Sequence, residues 1–161
     1  MSDSAEDRAV SLREATNTDR ERLVALHRRA ITDAGSDPDD VPGNYLADVE
    51  GTFDEAGGVF YVLESGDRVV AMGGAKPVAD DPASVELVRI AVDPEFHREG
   101  LGDRIVAELE SFARDAGYER VELETTERQE AARAMYEARG YEETGRRQVL
   151  EYTVVGFEKS L

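Results

Sequence analysis

Cysteine is absent from these 161 residues, which excludes a disulfide framework, a thiol nucleophile and a cysteine-bound metal. Histidine is nearly so: His27 and His97 lie far apart in sequence, too few for a zinc site, and no metal is expected. Lysine is equally scarce. Lys76 and Lys159 are the only two, every other basic residue is arginine, and Lys plus Arg number 19 against 36 Asp plus Glu, a net charge of -17. A field of that sign repels a polyanion and no basic stripe offsets it, so nucleic-acid binding is not expected. No apolar run approaches the roughly 20 residues of a membrane span, and Met1 to Asp7 is acidic rather than signal-like. The expectation is a cytoplasmic protein with no membrane partner.

What is present suffices for one core. A chain of 161 residues falls within one ordinary domain, taken as 1–161 with residues 1–7 frayed. Charged residues are 34 % of the chain against a typical figure of about 25 %, while 40 % hydrophobic residues leave enough for an interior. Abundant acid with little lysine suits a halophile-like protein hydrated in concentrated salt, where repulsion is screened within about 3 Å at 1 M. An acidic face for a cationic partner is the competing reading, but the acids spread from Asp3 to Glu158 rather than clustering.

Periodicity places the elements. Ala9 to Glu14 alternates as a first strand; Asn17 or Thr18 can cap a helix whose Leu23, Leu26, His27, Ala30 and Ile31 form one stripe, ending near Gly35. Ser36 to Gly58, rich in Asp, Pro and Gly, reads as a mobile loop with a short helix around Tyr45 to Phe53, the sort of segment that covers a site. Val59 to Leu63 and Arg68 to Met72 flank Ser65-Gly66-Asp67 as a hairpin. Beyond the Pro- and Asp-rich stretch Pro77 to Pro82, Val85 to Val92 reads as a central strand stopped by Asp93-Pro94. A helix over Gly100 to Ala116, a strand over Val121 to Glu124, a helix over Gln129 to Arg139 and an edge hairpin over Val149 to Phe157 follow. The pattern is α/β, a mixed sheet with helices on its faces. The apolar edge of Val149 to Phe157 is one on which a second copy could pair as a homodimer.

Chemistry concentrates where the central strand runs into a helix, Ile90-Ala91-Val92-Asp93-Pro94-Glu95-Phe96-His97-Arg98-Glu99-Gly100-Leu101-Gly102. Glycines at a helix start let a ligand approach the backbone, and free N–H groups with the positive dipole end suit phosphate. Alone this is weak: a helix start with no ligand reads equally well, no Gly-Lys-Ser/Thr follows to make a Walker loop, and position 105 is Ile where the dinucleotide fingerprint has Gly.

The segment resembles the acyl-CoA-binding motif of the GNAT superfamily of N-acetyltransferases, Gln/Arg-x-x-Gly-x-Gly/Ala after a strand. Gly100 and Gly102 match, with His97 in the first position. Gln129 to Tyr141 resembles the family's second motif, Asn-x-x-Ala-x-x-Leu-Tyr-x-x-x-Gly-Phe, with Gln129 for Asn and with Ala132 and Tyr136 in place. The resemblance covers almost the whole chain in order. It implies the GNAT-type fold, a central mixed sheet of about six to seven strands flanked by helices, and acetyl-CoA as co-substrate. His97, Arg98, Glu99, Gly100, Leu101, Gly102 and Asp103 would hold the pyrophosphate. Ile90, Ala91 and Val92 would pair with the pantetheine amides where two parallel strands splay apart, and an amide near Ile90 would face an oxyanion.

Amine acetylation needs a deprotonated amine and a protonated leaving thiolate. Tyr136 matches the family's acid, Glu86 the glutamate of the histone-acetyltransferase branch, and Glu124 that of the ribosomal-protein N-terminal branch. Each also reads as an ordinary side chain: Tyr136 packed beneath the cofactor, the glutamates facing solvent. Glu86 stands four residues from Ile90, about 13 Å of strand, so a water or a bulge would have to bridge them. His27 reads as packed on its stripe, and Arg146 and Arg147 as solvated unless they meet a phosphate or carboxylate. The acids Asp37, Asp39, Asp40, Asp48 and Glu50 favour a cationic acceptor, whether a small amine, a polyamine-like compound or a protein amino group. The alternative function is an acyl-CoA-binding sensor or regulatory module that keeps the cradle without chemistry.

Overall fold

The computed structural model describes residues 9–41 and 44–161, so the stretch Met1 to Asp7, expected to fray, lies outside the described residues. One seven-stranded sheet organises the chain: β1 (Ser11–Glu14), β2 (Val59–Ser65), β3 (Arg68–Val78), β4 (Asp81–Val92), β5 (Arg120–Thr126), β6 (Glu142–Val149) and β7 (Tyr152–Ser160). Their spatial order is β1-β2-β3-β4-β5-β7-β6. All neighbours are antiparallel except β4 and β5. A parallel pair needs a crossover, and α2 (Leu101–Asp115) supplies it. The mixed α/β architecture is the one expected.

Helices cover both faces because both faces of the central strands are apolar. Val85, Leu87, Val121, Leu123, Val155 and Phe157 pack with Ile105, Leu109 and Tyr136 of α2 and α3 (Glu130–Ala138). Phe60, Val62, Met72 and Ala91 pack on the other face with Leu23 and Leu26 of α1 (Arg20–Asp33). Leu23, Leu26, Ile105 and Leu109 are all fully buried, each stabilising by about 1.5–3 kcal/mol relative to an exposed side chain. No helix among the described residues is long and apolar enough to cross a membrane.

Four expectations are corrected. The first helix is not capped by Asn17 or Thr18: a 3-10 turn Asn17–Asp19 precedes α1, and the Asp19 carboxylate accepts the Thr16 N–H at 2.9 Å. Asp19 stands three residues after Thr16, the spacing of a capping box, and Arg13 fixes it through two N–H donors at 2.8 and 2.7 Å. The segment Ser36 to Gly58 carries the short helix expected around Tyr45 to Phe53 and, among its described residues, is otherwise more structured than the loop expected. It forms short helical turns at Pro38–Asp40, Tyr45–Ala47 and Glu50–Asp54, and Leu46, Val49 and Phe53, three and four residues apart, are buried, with the Phe53 ring edge-on to Phe60 at 5.0 Å.

The Pro-rich stretch does not separate two elements, since β3 and β4 run through it and turn at residues 79–80. Pro77 and Pro82 lie beyond the pairing of β2 with β3, which stops at Ala75, and of β5 with β4, which starts at Ser84, so on those outer sides no strand awaits their missing N–H. Finally, Tyr152 to Phe157 is no edge: β7 lies between β5 and β6. The edge on this side of the sheet is β6, Glu142–Val149, whose residues 142–148 are all exposed. Charged side chains there discourage edge-to-edge pairing, so the apolar edge invoked for a homodimer is not on offer.

Candidate functional site

The two parallel strands part company. β4 and β5 pair only from Ser84 and Arg120 to Leu87 and Leu123, although β4 runs on to Val92 and β5 to Thr126. A bulge on the other side of β4 marks the point of departure. Gly74 opposes Val88 and Met72 opposes Ala91, so Arg89 and Ile90 together face the single residue Gly73, and Arg89 takes a left-handed φ of 58°. The extra residue changes parity along the strand. Leu87 and Ile90, three apart, both pack on the α2 face, while Val88 and Ala91 pack on the α1 face. Arg89 therefore leaves the α2 side and sets its guanidinium 4.8 Å from the Tyr45 ring centroid. Glycine at position 73 leaves room for the bulge: a Cβ would stand 2.5 Å from Ile90 Cδ1 and 2.7 Å from Ile105 Cγ2, so both side chains would have to shift.

The split opens a cavity of about 310 Å³ whose wall brings together Glu86, Ile90, Glu124, Gln129 and Tyr136. Glu86 is half-buried 3.7 Å from Lys76 Nζ. Burial raises its pKa above the ordinary glutamate range, Lys76 opposes the shift, and Glu124 and Glu122 add to it. Glu124 is exposed and held by Arg147, Nη2 at 2.8 Å and Nε at 3.1 Å. Tyr136 is 4 % exposed, packed on Tyr141 and Phe157 at 5.7 and 6.0 Å between centroids. Burial alone drives its pKa up, so the phenol keeps its proton at neutral pH.

A buried carboxylate holds the chain just after Tyr136. Glu110 on α2, 1 % exposed, accepts the Tyr141 hydroxyl at 2.8 Å, Arg139 Nη2 at 2.7 Å and Lys159 Nζ at 3.1 Å. These three partners come from the end of α3, the turn after it, and β7. The hydrogen bonds hold the Glu110 pKa down against the opposing effect of its burial.

The loop leaving β4 is not on the cavity wall but stands at the end of the split. Asp93, 1 % exposed, anchors it, accepting Arg29 and Arg68 at 2.6 Å each and the Glu95 N–H at 3.0 Å. Arg98 and Gly100 both take left-handed backbone, φ 67° and 76°, and the turn from left-handed Gly100 into the helix presents successive amides as an anion nest. His97, Arg98, Glu99 and Gly100 are exposed, whereas Leu101 is buried and fixes the helix start. A Cβ on Gly100 would meet nothing within 4 Å, and one on Gly102 would touch Val92 and Met135 at 3.5 and 3.7 Å. Open space over helix-start amides, close to an unpaired strand edge, fits a pyrophosphate followed by an amide-bearing arm. The Asp103 side chain is committed to Arg139 at 2.9 Å, and Ala132 packs on the core; neither lines the cavity.

Sequence reasoning missed the far wall. His27, Tyr45, Arg89 and Tyr152 all line the cavity. Burial, with Arg89 and Arg28 nearby, pushes His27 down to about 4, so it is neutral at pH 7. The Tyr152 hydroxyl donates to Asp40 Oδ2 at 2.7 Å and accepts the Asp37 N–H at 3.0 Å, tying the segment after α1 to β7. Of the acids expected to favour a cationic acceptor, Asp37 and Asp40 reach the wall; Asp39 pairs with Arg28, and Asp48 and Glu50 hold Asn17. Arg146 is paired with Glu143 and Glu127. The shift of apolar parity between Leu87 and Ile90 was the available signal for the bulge. Among the described residues no His, Cys, Asp or Glu group of three could hold a metal.

Residues 14–141 match the model of the Acetyltransferase (GNAT) family. Human N-acetyltransferase 8 is 38 % identical over 114 residues, covering 68 % of this chain and 47 % of that protein. N-acetyltransferase 8F1 of Rattus norvegicus is 36 % identical over 105 residues, 63 % of this chain and 48 % of that one. The chain thus spans about half the length of the curated relatives it matches. A GNAT-family acetyltransferase from Staphylococcus aureus superposes with a TM-score of 0.83 at 17 % identity, covering 94 % of this chain and 99 % of that one. YncA of Salmonella typhimurium, solved with its cofactor acetyl-CoA, superposes at 0.75 and 18 % identity, covering 94 % of each chain.

Proposed function

The chain belongs to the acetyltransferase (GNAT) family, and from that premise we propose that it transfers the acetyl group of acetyl-CoA to a primary amine by direct attack in a ternary complex. The observation that carries the reading is the split between β4 and β5, with Glu86 and Tyr136 on the wall of one cavity. The amides from Gly100 to Asp103 receive the pyrophosphate, and the free edge of Ile90, Ala91 and Val92 pairs with the pantetheine arm. Glu86, more basic than an ordinary carboxylate, takes the proton from the acceptor ammonium. Glu124 is the weaker candidate because Arg147 occupies both of its oxygens. The amine lone pair then attacks the thioester carbonyl carbon, with the Ile90 amide, freed from regular pairing by the bulge, facing the oxygen that gains charge. As the C–S bond breaks, the buried Tyr136 phenol donates its proton to the departing sulfur, and the second proton that nitrogen sheds as the amide forms passes to the phenolate and restores it. The acid surplus and scarcity of lysine support a working place in a salt-rich cytoplasm.

Titration of acetyl-CoA into the protein at molar salt, beside a control with NAD, tests the cofactor; binding of acetyl-CoA alone is expected. Tyr136→Phe should then lower turnover at neutral pH by roughly 100-fold or more with acetyl-CoA affinity retained. Unchanged turnover would remove the acid role, and tight binding without transfer to any amine would favour the sensor reading.

A further inference from the structure

We propose that Lys76 is the positioning residue of the base: its ammonium, set across the β3–β4 ladder, keeps the Glu86 carboxylate charged on the cavity wall without occupying it. The proposal rests on the acetyl-transfer reading above and names what makes Glu86 serviceable in that cavity.

Lys76 stands opposite Glu86 in the antiparallel pair, Glu86 opposite Glu122 in the parallel pair, Glu122 opposite Glu158, and Glu158 opposite Glu142. Residues directly opposite one another share a face of the sheet, so one row across five strands carries a lysine followed by four glutamates. Lys76 is the one cation of that row, and it stands beside the member that lines the cavity. Like charges set opposite each other are unfavourable, and a carboxylate that loses water to burial favours its protonated form. Glu86 meets both conditions, half-buried with Glu122 beside it.

The ammonium is held where it can offset them. Lys76 Nζ lies 3.7 Å from Glu86 Oε1 and 5.4 Å from the Tyr45 ring centroid, so a carboxylate and an aromatic ring attract the same charge. The Lys76 side chain is 24 % exposed, and a partly buried pair is screened less than a surface one. At 3.7 Å the pair also stands beyond hydrogen-bond distance. The cation therefore acts through space and leaves the carboxylate oxygens to an acceptor ammonium.

The other charges that face Glu86 do not replace it. Glu122 and Glu124 on β5 favour protonation, and Arg147 of β6 is committed to Glu124. On the wall His27 is uncharged at neutral pH, Tyr136 keeps its proton, and the acids Asp37 and Asp40 add charge of the wrong sign. Arg89, three residues along β4, also bears on Glu86, but it is laid over the Tyr45 ring with partners of its own and stays unchanged in the test.

The test follows Glu86 directly, by carbon-13 NMR of protein carrying glutamate labelled at the side-chain carboxyl. The Glu86 signal is the one lost in Glu86→Gln. The titration is run in molar salt, which screens exposed charges and leaves partly buried pairs. In Lys76→Met, which keeps an unbranched stem without the charge, the midpoint should rise by about one pH unit or more; Lys76→Arg, which restores a cation, should bring it back towards the wild-type value. Lys76→Gln gives the same readout where the methionine variant does not fold, and binding of acetyl-CoA to each variant, measured by calorimetry, reports that the fold and the cofactor site survive. A midpoint that stays in place without the Lys76 charge, or a rise that Lys76→Arg fails to reverse, would overturn the assignment. Failure of the wild-type protein to bind acetyl-CoA would instead bring down the reading beneath it.

Discussion

Removing the Glu110 charge should be the costliest single change among the ion pairs. The carboxylate is 1 % exposed and its four acceptor positions are filled by Arg139 Nη2 at 2.7 Å, Lys159 Nζ at 3.1 Å, the Tyr141 hydroxyl at 2.8 Å and Arg139 Nε at 3.3 Å. Glu110→Gln keeps the shape but leaves the Lys159 side chain, 18 % exposed, facing an amide in place of its carboxylate, and Arg139, 19 % exposed, with Asp103 as its remaining carboxylate. Breaking a buried pair this way costs about 3–5 kcal/mol, a large part of the roughly 5–15 kcal/mol that holds a domain together. At about 2–4 °C per kcal/mol for a chain of this size, the melting temperature should fall by about 6–20 °C. Scanning calorimetry at low and at molar salt is the assay. A buried pair is screened little, so the loss should persist at high salt. The pH dependence has a definite sign: the folded-state pKa of Glu110 is depressed, so its contribution is present above the unfolded value of about 4.3 and is lost as pH falls through the folded value. A loss below about 1 kcal/mol, the range of exposed pairs, or one abolished by salt, would refute this account of the network.

Other consequences are simpler to check. Gly74→Ala would set a Cβ 2.6 Å from both the Phe53 and Phe60 rings; two rigid neighbours make a loss of about 1–3 kcal/mol the expected outcome of a denaturant titration. Gly102→Ala meets Val92 and Met135 only at ordinary contact distance, so the melting temperature should hold, and a raised KM for acetyl-CoA alone would place the cofactor against this turn. Glu86→Gln should depress kcat at neutral pH by roughly 100-fold or more, with partial recovery at alkaline pH as the free amine fraction grows; a flat response would acquit Glu86. His27, depressed from 6.5 to about 4 in the fold, must accept a proton on unfolding below about pH 6.5, so stability should decline from there towards pH 4, and the decline should be shallower in His27→Asn.

The strands and helices with clear periodicity were readable from the sequence, and so were the turn at Gly100 and the place of Tyr136 on its helix, because each depends on neighbours within a few residues. What escaped depends on partners far along the chain. Glu110 sits one residue from the buried Leu109 on an amphipathic helix, and Arg139, Tyr141 and Lys159, 29, 31 and 49 residues away, make a carboxylate tolerable there. β6 gives no apolar alternation because it is an outer strand with all but its last residue exposed, so the final hairpin was read as β7 alone and placed at the margin. The short helix expected around Tyr45 to Phe53 is present as two turns, but the burial of Leu46, Val49 and Phe53 was not read from a segment so rich in Asp, Gly and Pro. Glu86 and Glu124 look alike in sequence; their difference lies in Arg147, which reaches Glu124 from β6, the strand beyond β7.

Both lysines of the chain are engaged: Lys76 with Glu86 and Lys159 with Glu110, their side chains only 24 % and 18 % exposed. For a protein proposed to acetylate amines, this means that neither of its own side-chain amines swings freely in solvent to compete with the acceptor, so self-modification should be slow. The same arrangement works against the experimenter. Succinimidyl dyes, glutaraldehyde and amine-coupled sensor surfaces find little purchase on these lysines, and where they do react they strike the partner of the presumed base or a ligand of the buried carboxylate, so labelling and immobilisation are better routed through carboxylates or an engineered cysteine.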